Sequence, residues 1–448
     1  MSNNQIAGWG SRLGFILASA GSAVGLGAIW KFPYMAGTNG GSVFMLPYIF
    51  FTLTVGVALL LAEFAMGRAG RRGAVGSLNK VCGRPWGIFG GIGVFTVFLI
   101  LSFYSVVGGW CLKYTFDAIT GAGLITDAKA LGEYFGAFVS DGVYSYSLLL
   151  AFLLLTAVVV WRGVQGGIER VAKVLMPALF ILMIILIIRG VTLPGGWQGV
   201  EFLFTPRWED FNGSALFNAM GFCFFSLSLG AGTMITYGSY LSPTANLPNS
   251  VGWVAVLAIW SATLGGLMVM PAVFAFGLDP TAGPGLTFVT MPAIFAKMPF
   301  GQIFAVFFYL CLLVAALTSS VSMLEACATL LSQESNMPRN RAIFVTVVGC
   351  AIVGLFANMS FGAMSDVKFF GKNIFDILDY LTSNIGMPLS TFGIAIAAAW
   401  VAWPATRKEL ATSQVAAASE TWMYAARILI GVLAPVFVLV VALGGIFG

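Results

Sequence analysis

The chain of 448 residues is 59% hydrophobic and only 9% charged, whereas soluble domains carry about 25% charged residues. This composition excludes an ordinary water-soluble protein and favours a membrane protein. The chain has no histidine, which excludes catalytic triads, zinc sites and proton relays that depend on an imidazole. Its formal net charge is +5, and the placement of that charge along the chain indicates how the protein is oriented.

Apolar stretches of roughly 20 residues recur along the whole chain, and this is the length that crosses a bilayer as an α-helix. Eleven such stretches occur, near residues 13–36, 42–67, 87–115, 145–162, 170–190, 214–239, 250–276, 300–332, 342–360, 374–402 and 423–447. The sequence therefore predicts an all-α membrane protein that forms one domain, residues 1–448.

Basic residues concentrate in alternate connections between these predicted spans. The connections after spans two, four and ten carry arginine and lysine, whereas those after spans three and five are acidic. Because cytoplasmic loops carry excess Lys and Arg, we expect a cytoplasmic N-terminus and an extracytoplasmic C-terminus in the cell's inner (plasma) membrane. This bias explains the net charge without a nucleic-acid partner. We expect no cleavable signal peptide, because the first eleven residues lack positive charge.

The first span contains an interruption, GSAVGLGAIWKFP, at residues 21–33. Glycine lets the chain leave the helical conformation, and a break at Val24–Gly27 would free carbonyl groups on one side and N–H groups on the other. Carbonyl oxygens suit a small cation, and N–H groups at a helix start suit a carboxylate. A bilayer tolerates such a break only where it is buried in protein or lines a polar cavity. Tight packing between helices explains the glycines equally well.

The sixth span contains a second interruption, FFSLSLGAGTMITYGSY at residues 224–240, with Gly230 and Gly232 as its flexible points. Interrupted spans at corresponding positions of two halves indicate a transporter site between them. Spans one and six would then begin two five-helix repeats, residues 13–190 and 214–402, followed by an extra helix at 423–447. The second interruption favours this interpretation over helix packing alone.

The chain resembles the neurotransmitter:sodium symporter family in four motifs, which are WGSRLGFILASAGSAVGLGAIWKFPY, NGGSVFMLPY, FFSLSLGAG and ALTSSVSMLE. The resemblance runs through essentially the whole chain, and eleven spans is a form seen among bacterial members. It implies a LeuT-type 5+5 inverted repeat with helices 1 and 6 unwound at the midplane. It also implies sodium-driven import of an amino acid or related amine by alternating access.

The resemblance implies a sodium site, the family's second, between the first and eighth helices. The matching positions are Gly21, Val24, Ala315, Thr318 and Ser319. Their carbonyl and hydroxyl oxygens could bind sodium without a buried carboxylate. The alternative is that the two hydroxyls bond to their own helix.

The family's first sodium site is incomplete in this chain. The usual asparagine after G-L-G is replaced by Ala28, and the ligand position on the seventh helix is Leu257. The Ala23 carbonyl and Ser226 can still contribute. We therefore expect one sodium ion per substrate.

A chloride requirement stays open on the sequence. Tyr48, Ser226 and Ser261 match positions of chloride-dependent relatives, but a family glutamine in the sixth helix is Phe222. A phenyl ring cannot donate a hydrogen bond to an anion. This substitution favours transport without chloride.

The resemblance also implies a substrate pocket between the two interruptions. The matching positions are Ala23, Leu26, Gly27, Ile100, Tyr104, Phe225, Ser228, Ala231, Ser319 and Met323. A carboxylate would meet N–H groups near Leu26 and the Tyr104 hydroxyl, and an amine would meet carbonyl groups and Ser228. Ala231 stands where the family pattern has a bulky aromatic residue, so we expect a large neutral amino acid, hydrophobic or aromatic. Ordinary core packing is the alternative for the apolar members of this set.

An outer gate is the next feature that the family match implies. Lys31 and Asp379 would form an ion pair above an aromatic lid of Tyr104 and Phe225. The alternative is that both charged side chains reach separately to the membrane interface.

The inner gate matches the family only in part. Trp9 and Tyr240 are present, but the family's inner ion pair is replaced by Ile6 and Gln333. We expect a looser cytoplasmic closure and a larger inward-facing population, because such a pair contributes about 1 kcal/mol.

Three other functions fit parts of the pattern. A channel needs a continuous polar pore rather than two breaks at one site. An intramembrane aspartyl protease needs two aspartates on separate helices, whereas Asp376 and Asp379 lie one turn apart on one helix, so we do not expect an enzyme. A transport-impaired amino-acid sensor of the same fold is the stronger alternative, because the first sodium site and the inner gate are incomplete.

Overall fold

The protein is described here by a computed structural model that covers residues 8–281, 285–411 and 420–447. In this part of the chain the regular secondary structure is helical, apart from an isolated bridge between Phe369 and Lys372. The helices in chain order are α1 (Arg12–Ala23), α2 (Gly27–Thr38), α3 (Ser42–Gly70), α4 (Ala74–Cys82), α5 (Arg84–Thr120), α6 (Ala128–Ser140), α7 (Gly142–Trp161), α8 (Val164–Val191), α9 (Trp197–Phe204), α10 (Gly213–Ser226), α11 (Thr233–Ser239), α12 (Leu247–Ala275), α13 (Leu286–Lys297), α14 (Gly301–Glu334), α15 (Arg339–Met359), α16 (Ile374–Val401), α17 (Trp403–Ala411) and α18 (Glu420–Gly445).

Nine helices of the described residues are long and apolar enough to cross a bilayer, and the bent pair of α1 and α2 raises the number to ten. The nine are α3, α5, α7, α8, α12, α14, α15, α16 and α18. The predicted sixth span is divided between α10 and α11, neither of which is long enough to be counted alone. A multi-pass helical membrane protein is therefore confirmed, while the count of eleven spans stays a prediction.

The interruption of the first span lies at residues 24–26, where α1 and α2 meet with a bend of 47°. The last bond of α1 runs from the Val24 N–H to the Ala20 carbonyl, at 2.6 Å. A Cβ atom on Gly25 would lie 2.2 Å from the Ser319 hydroxyl. Glycine is therefore required here because α14 approaches the backbone of the bend.

The interruption of the sixth span covers residues 227–232, between the end of α10 and the start of α11. Ser228, Gly230 and Gly232 have positive φ angles of 53°, 74° and 71°. Glycine adopts this conformation at little cost, whereas a residue with a Cβ atom is strained by roughly 1–2 kcal/mol. A Cβ atom on Gly230 would also lie 2.3 Å from the Met387 carbonyl oxygen, so the backbone of α16 packs directly against this segment.

Small residues allow the backbones of α3 and α11 to touch. A Cβ atom on Gly67 would lie 2.0 Å from the Ile235 carbonyl oxygen, and one on Gly238 would lie 2.7 Å from the Phe64 carbonyl oxygen. Such close contact gains van der Waals packing where lipid offers no hydrophobic driving force between helices. The crossing fixes α11, and with it one end of the second interruption.

Replacement of Gly67 by alanine should therefore destabilise the bundle. We expect Gly67→Ala to lower the free energy of unfolding by about 1–3 kcal/mol, because the new methyl group cannot fit against a backbone carbonyl. The matched control is Gly132→Ala on α6, where nothing lies within 4 Å of the new atom. Thermal unfolding in detergent would measure both, and equal melting temperatures would contradict this account of the crossing.

Candidate functional site

A small cavity of about 30 Å³ lies where the two interruptions meet. Its walls come from α1, α2, α5, α14, α16 and the segment around α10 and α11. All ten residues that the sequence assigned to a substrate pocket line it: Ala23, Leu26, Gly27, Ile100, Tyr104, Phe225, Ser228, Ala231, Ser319 and Met323. The structure thus brings the predicted set together, while their role in binding a substrate stays a prediction. We call this space the central cavity.

Sequence reasoning missed several residues of the central cavity. Val97, Thr233 and Met387 also line it. Val97 lies one helical turn before Ile100, so helical spacing could have found it. Met387 carries no such signal, because only the packing of α16 against the second interruption brings it to the cavity.

The polar end of the central cavity is formed by backbone groups. The Leu26 N–H donates to the Tyr104 hydroxyl at 3.2 Å, which places a phenol beside the N–H side of the first interruption. The Ser228 hydroxyl donates to the Ser22 carbonyl at 3.1 Å, and this bond links the two interruptions directly. This end therefore offers both N–H and carbonyl groups, which is the combination that a zwitterion needs.

The rest of the central cavity is mainly apolar, with Ser226 and Thr233 as its polar residues. Val97, Ile100, Ala231, Met323 and Met387 supply aliphatic and thioether surface, and the described lining contains no charged side chain. A charged ligand side chain would find no counterion here and would lose its hydration. The lining therefore favours a neutral, hydrophobic side chain.

The predicted second sodium site lies against the wall of this cavity. The Ser319 hydroxyl donates to the carbonyls of Gly21 and Ser22, each at 3.1 Å. The Thr318 hydroxyl donates to the Ala315 carbonyl at 3.1 Å, and a Cβ atom on Gly21 would lie 3.2 Å from the Thr318 side chain. Oxygens from the end of α1 and from α14 thus face one another, and Ser319 belongs to both the oxygen cluster and the cavity.

The predicted first sodium site is surrounded by well-packed groups. The Ser226 hydroxyl donates to the Cys223 carbonyl at 3.3 Å and lies 3.3 Å from the Tyr48 hydroxyl. A Cβ atom on Gly265 would lie 2.2 Å from the Ala28 carbonyl oxygen, so α12 closes on the first interruption here. Ala23 lines the central cavity. Neither Ala28 nor Leu257 can supply a side-chain oxygen.

The matched chloride positions lie close to aromatic surface. The Tyr48 hydroxyl donates to the Ala258 carbonyl at 3.4 Å, and the Ser261 hydroxyl donates to the same carbonyl at 2.8 Å. The Phe222 ring packs against the Tyr48 ring at 5.0 Å between centroids. Two hydroxyl donors are thus already engaged by protein acceptors, and the aromatic ring excludes water from one side.

A larger cavity of about 350 Å³, the vestibule, lies beyond Leu26, Ile100, Tyr104 and Phe225, which line both spaces. These four residues therefore form the partition between them. The vestibule is lined mainly by aromatic rings, together with Lys31 and the acidic residues Asp376 and Asp379 of α16.

The predicted outer ion pair is not formed in this conformation. Lys31 Nζ lies 4.4 Å from the centroid of the Phe225 ring, and the ion pairs of the described residues do not include Lys31 with Asp379. Asp379 instead accepts a hydrogen bond from Ser383 at 3.1 Å. Both charged groups line the vestibule, so a change of side-chain conformation or a small movement of α16 would be needed to join them.

Comparison with known proteins identifies the family. The model of the sodium:neurotransmitter symporter family matches residues 7–124 and 137–447. The chain belongs to this family. It is 42% identical over 397 residues to the uncharacterized sodium-dependent transporter YhdH of Bacillus subtilis, covering 88% of each protein. It is 33% identical to an uncharacterized sodium-dependent transporter of Haemophilus influenzae, covering 99% of each.

A solved structure agrees with the family assignment. The crystal structure of MhsT in complex with L-phenylalanine matches with a TM-score of 0.90 and 39% identity, covering 98% of this chain and 99% of that one. MhsT has a LeuT-type fold, and relatives of this chain are named as sodium-dependent transporters. The protein is therefore a sodium-dependent membrane transporter and not an enzyme.

The side of the symporter opposite the vestibule is closed by aromatic packing around Trp9. The Trp9 indole donates to the Tyr237 carbonyl at 3.0 Å, and its backbone N–H donates to the Tyr240 carbonyl at 3.3 Å. The Tyr240 hydroxyl donates to Glu325 at 2.8 Å, and Glu325 forms an ion pair of 2.6 Å with Arg339. The predicted pair of Trp9 and Tyr240 thus lies together, supported by an ion pair that sequence reasoning did not identify.

A second carboxylate holds the start of α1. Glu169 accepts hydrogen bonds from the Gly10 N–H at 2.7 Å and from the Ser11 hydroxyl at 2.8 Å, and it pairs with Lys173 at 2.6 Å. The predicted spans place Glu169 in the connection between spans four and five, so no signal for this role was available in the sequence; the structure includes it in the membrane-length helix α8. Gln333 accepts from the Gly73 N–H at 2.8 Å, whereas Ile6 lies outside the described residues.

Removal of the guanidinium group of Arg339 should weaken this closure. The Glu325 side chain is fully buried, whereas a third of the Arg339 side chain is exposed. We therefore expect Arg339→Gln to lower the free energy of unfolding by about 2 kcal/mol, which is somewhat less than for a fully buried pair. Arg341→Gln, at an exposed position two residues along α15, is the matched control. Thermal unfolding in detergent measures both, and the double variant with Glu325→Gln should recover part of the loss.

Proposed function

We propose that this symporter imports a large neutral amino acid, hydrophobic or aromatic, by sodium-coupled alternating access. The observation that supports coupling is the position of Ser319. Its side chain lines the central cavity and also donates to two carbonyls at the end of α1. An ion held by these oxygens would fix the same elements that surround the substrate, so each ligand would favour the binding of the other.

The proposed ligands of sodium are the oxygens of Gly21, Val24, Ala315, Thr318 and Ser319. Carbonyl and hydroxyl oxygens suit a hard cation, and the bonds that Ser319 now makes to carbonyls can be exchanged for bonds to the ion. Ala28 and Leu257 leave the first site without side-chain ligands, although the Ala23 carbonyl and Ser226 remain. We therefore propose one sodium ion per substrate, and no chloride requirement because Phe222 packs against Tyr48.

One sodium ion is a sufficient driving force for a zwitterion. Its inward movement yields about 2.3 kcal/mol per 100 mV of membrane potential. A sodium gradient adds about 1.4 kcal/mol for each tenfold difference in concentration. Together these terms support a useful accumulation of an uncharged substrate.

The substrate assignment is supported by the lining and by a relative. The apolar walls of the central cavity, the small Ala231 and the bound L-phenylalanine of MhsT all favour a large neutral side chain. The carboxylate would meet the Leu26 and Gly27 N–H groups and Tyr104, and the amine would meet carbonyls of Ala23 and Phe225. The cavity of about 30 Å³ is far below the roughly 300 Å³ of ordinary ligand pockets, so a large side chain requires some rearrangement.

The proposed transport cycle uses the two sides differently. Lys31 and Asp379 would pair when the outer side closes over Tyr104 and Phe225, and Trp9 and Tyr240 would separate when the inner side opens. The proposal includes inverted repeats at residues 13–190 and 214–402, with an extra helix at 423–447. It also includes insertion in the plasma membrane with a cytoplasmic N-terminus and an extracytoplasmic C-terminus.

A transport-impaired sensor is the second candidate function. The observation that favours it is the loss of side-chain ligands at Ala28 and Leu257, since weak ion coupling would uncouple binding from transport. Binding of an amino acid without its accumulation in proteoliposomes that have an inward sodium gradient would identify a sensor.

Uptake of radiolabelled amino acids into proteoliposomes tests the proposed function. We expect uptake of leucine-sized and aromatic amino acids that requires an inward sodium gradient and persists when chloride is replaced by gluconate. The sodium activation curve should have a Hill coefficient near 1, because only one ion site is complete. If only glycine or alanine competed for uptake, the proposal of a large substrate would be refuted. A Hill coefficient near 2 would refute the proposed stoichiometry of one sodium ion per substrate.

The role of Ser319 can be separated from general damage to α14. We expect Ser319→Ala to lower the apparent sodium affinity about tenfold, equivalent to about 1.4 kcal/mol for one lost oxygen. The matched control is Ser320→Ala, because the Ser320 hydroxyl faces Thr156 on α7 at 2.8 Å. Substrate uptake is measured against sodium concentration. An equal change in apparent sodium affinity in both variants would refute the proposed role of Ser319 in the second sodium site.

A further inference from the structure

A third cavity lies behind the central one. It has a volume of about 200 Å³ and is enclosed by α2, α10, α16 and α18; we call it the side cavity. Gly221, Gly444 and Gly445 line it, and the absence of a side chain at Gly221 leaves open space on the α10 side. A Cβ atom on Gly221 would have Val441 as its nearest neighbour, at 3.9 Å.

The central and side cavities share two wall residues, Phe225 and Met387. The Phe225 ring is held in place, because Lys31 lies over it at 4.4 Å and a Cβ atom on Gly27 would lie 2.8 Å from it. Met387 is different, because an unbranched thioether has three rotatable bonds and adapts its shape at little cost. Met387 is therefore the movable part of the partition.

The backbone of Met387 is fixed although its side chain can move. Its carbonyl oxygen accepts a hydrogen bond from the Thr391 hydroxyl at 2.8 Å. The same carbonyl would lie 2.3 Å from a Cβ atom on Gly230, so α16 is packed directly on the second interruption. A rotation of the Met387 side chain can thus open the partition without displacing α16 or the segment that binds the substrate backbone.

The side cavity carries polar groups near this partition. Ser383 and Asn384 lie about one turn before Met387 on α16 and line the side cavity. Ser383 donates to Asp379 at 3.1 Å, and the Asn384 amide N–H donates to the Gly445 carbonyl at 3.2 Å. The amide oxygen of Asn384 is a suitable acceptor for an N–H group on an aromatic ring.

We propose that the side cavity is a subsite for the distal ring of a large aromatic amino acid, of the indole class, and that Met387 controls entry to it. This inference rests on the proposed function of the central cavity. It explains how a cavity of about 30 Å³ can serve a large substrate, since the adjoining space is several times larger. Leucine-sized side chains would stay on the central side of Met387.

The test compares the binding of tryptophan and leucine to the full-length protein in the presence of sodium. We expect Met387→Ala to raise the affinity for tryptophan relative to leucine at least about fivefold, because the partition is removed. The matched control is Met323→Ala, which enlarges the central cavity at a residue that does not border the side cavity. This control should not raise the tryptophan-to-leucine ratio to the same extent.

A second variant fills the side cavity from its far wall. We expect Gly221→Leu to lower the affinity for tryptophan about fivefold while the affinity for leucine is retained, which also shows that the variant is folded. If the ratio of the affinities for tryptophan and leucine were unchanged in both Met387→Ala and Gly221→Leu, the proposed subsite would be refuted. If the unaltered protein shows no sodium-dependent amino-acid binding at all, the proposed function fails instead, so the two failures are distinguishable.

Discussion

Backbone polar groups inside an apolar span must find partners, and the structure around the central cavity depends on this constraint. At the first interruption the Leu26 N–H donates to Tyr104, and the Gly21 carbonyl accepts from Ser319. At the second, the Gly230 N–H donates to Glu63 at 2.7 Å. Each partner comes from a different helix, so the interrupted segments are stable only when the whole bundle is assembled around them.

The same constraint explains why binding sites form at these positions. A carbonyl or N–H group that is satisfied by one side chain can exchange that bond for one to an ion or a substrate without a net loss of hydrogen bonding. Regular helices offer no such groups because their bonds are made internally. Ser319 and Tyr104 act as replaceable partners of this kind, and both line the central cavity.

The two sides of the cavity are closed by different means. On the vestibule side, four side chains form a thin partition, and Lys31 rests on an aromatic ring rather than on an acid. On the opposite side, Trp9 and the pair of Glu325 and Arg339 form a hydrogen-bonded layer. The two sides therefore differ in what would have to move to open the cavity: side chains of the partition on the vestibule side, and hydrogen-bonded contacts on the Trp9 side. The sequence expectation of a loose inner gate rested on the residues at positions 6 and 333 alone, and ion pairs formed by Arg339 and by Glu169 now supply contacts on that side.

The sequence by itself determined the membrane class, the positions of most spans, the two interruptions and the ten residues that meet in the central cavity. Hydropathy and glycine placement are local features, because each is read within one helix. The family motifs add the information that residues of different helices belong to one site. Only the tertiary structure decided that Met387 reaches the cavity, that Arg339 pairs with Glu325, and that Lys31 lies over Phe225. Such contacts join residues far apart in the chain, and their geometry follows from the packing of several helices at once, which no single segment of sequence encodes.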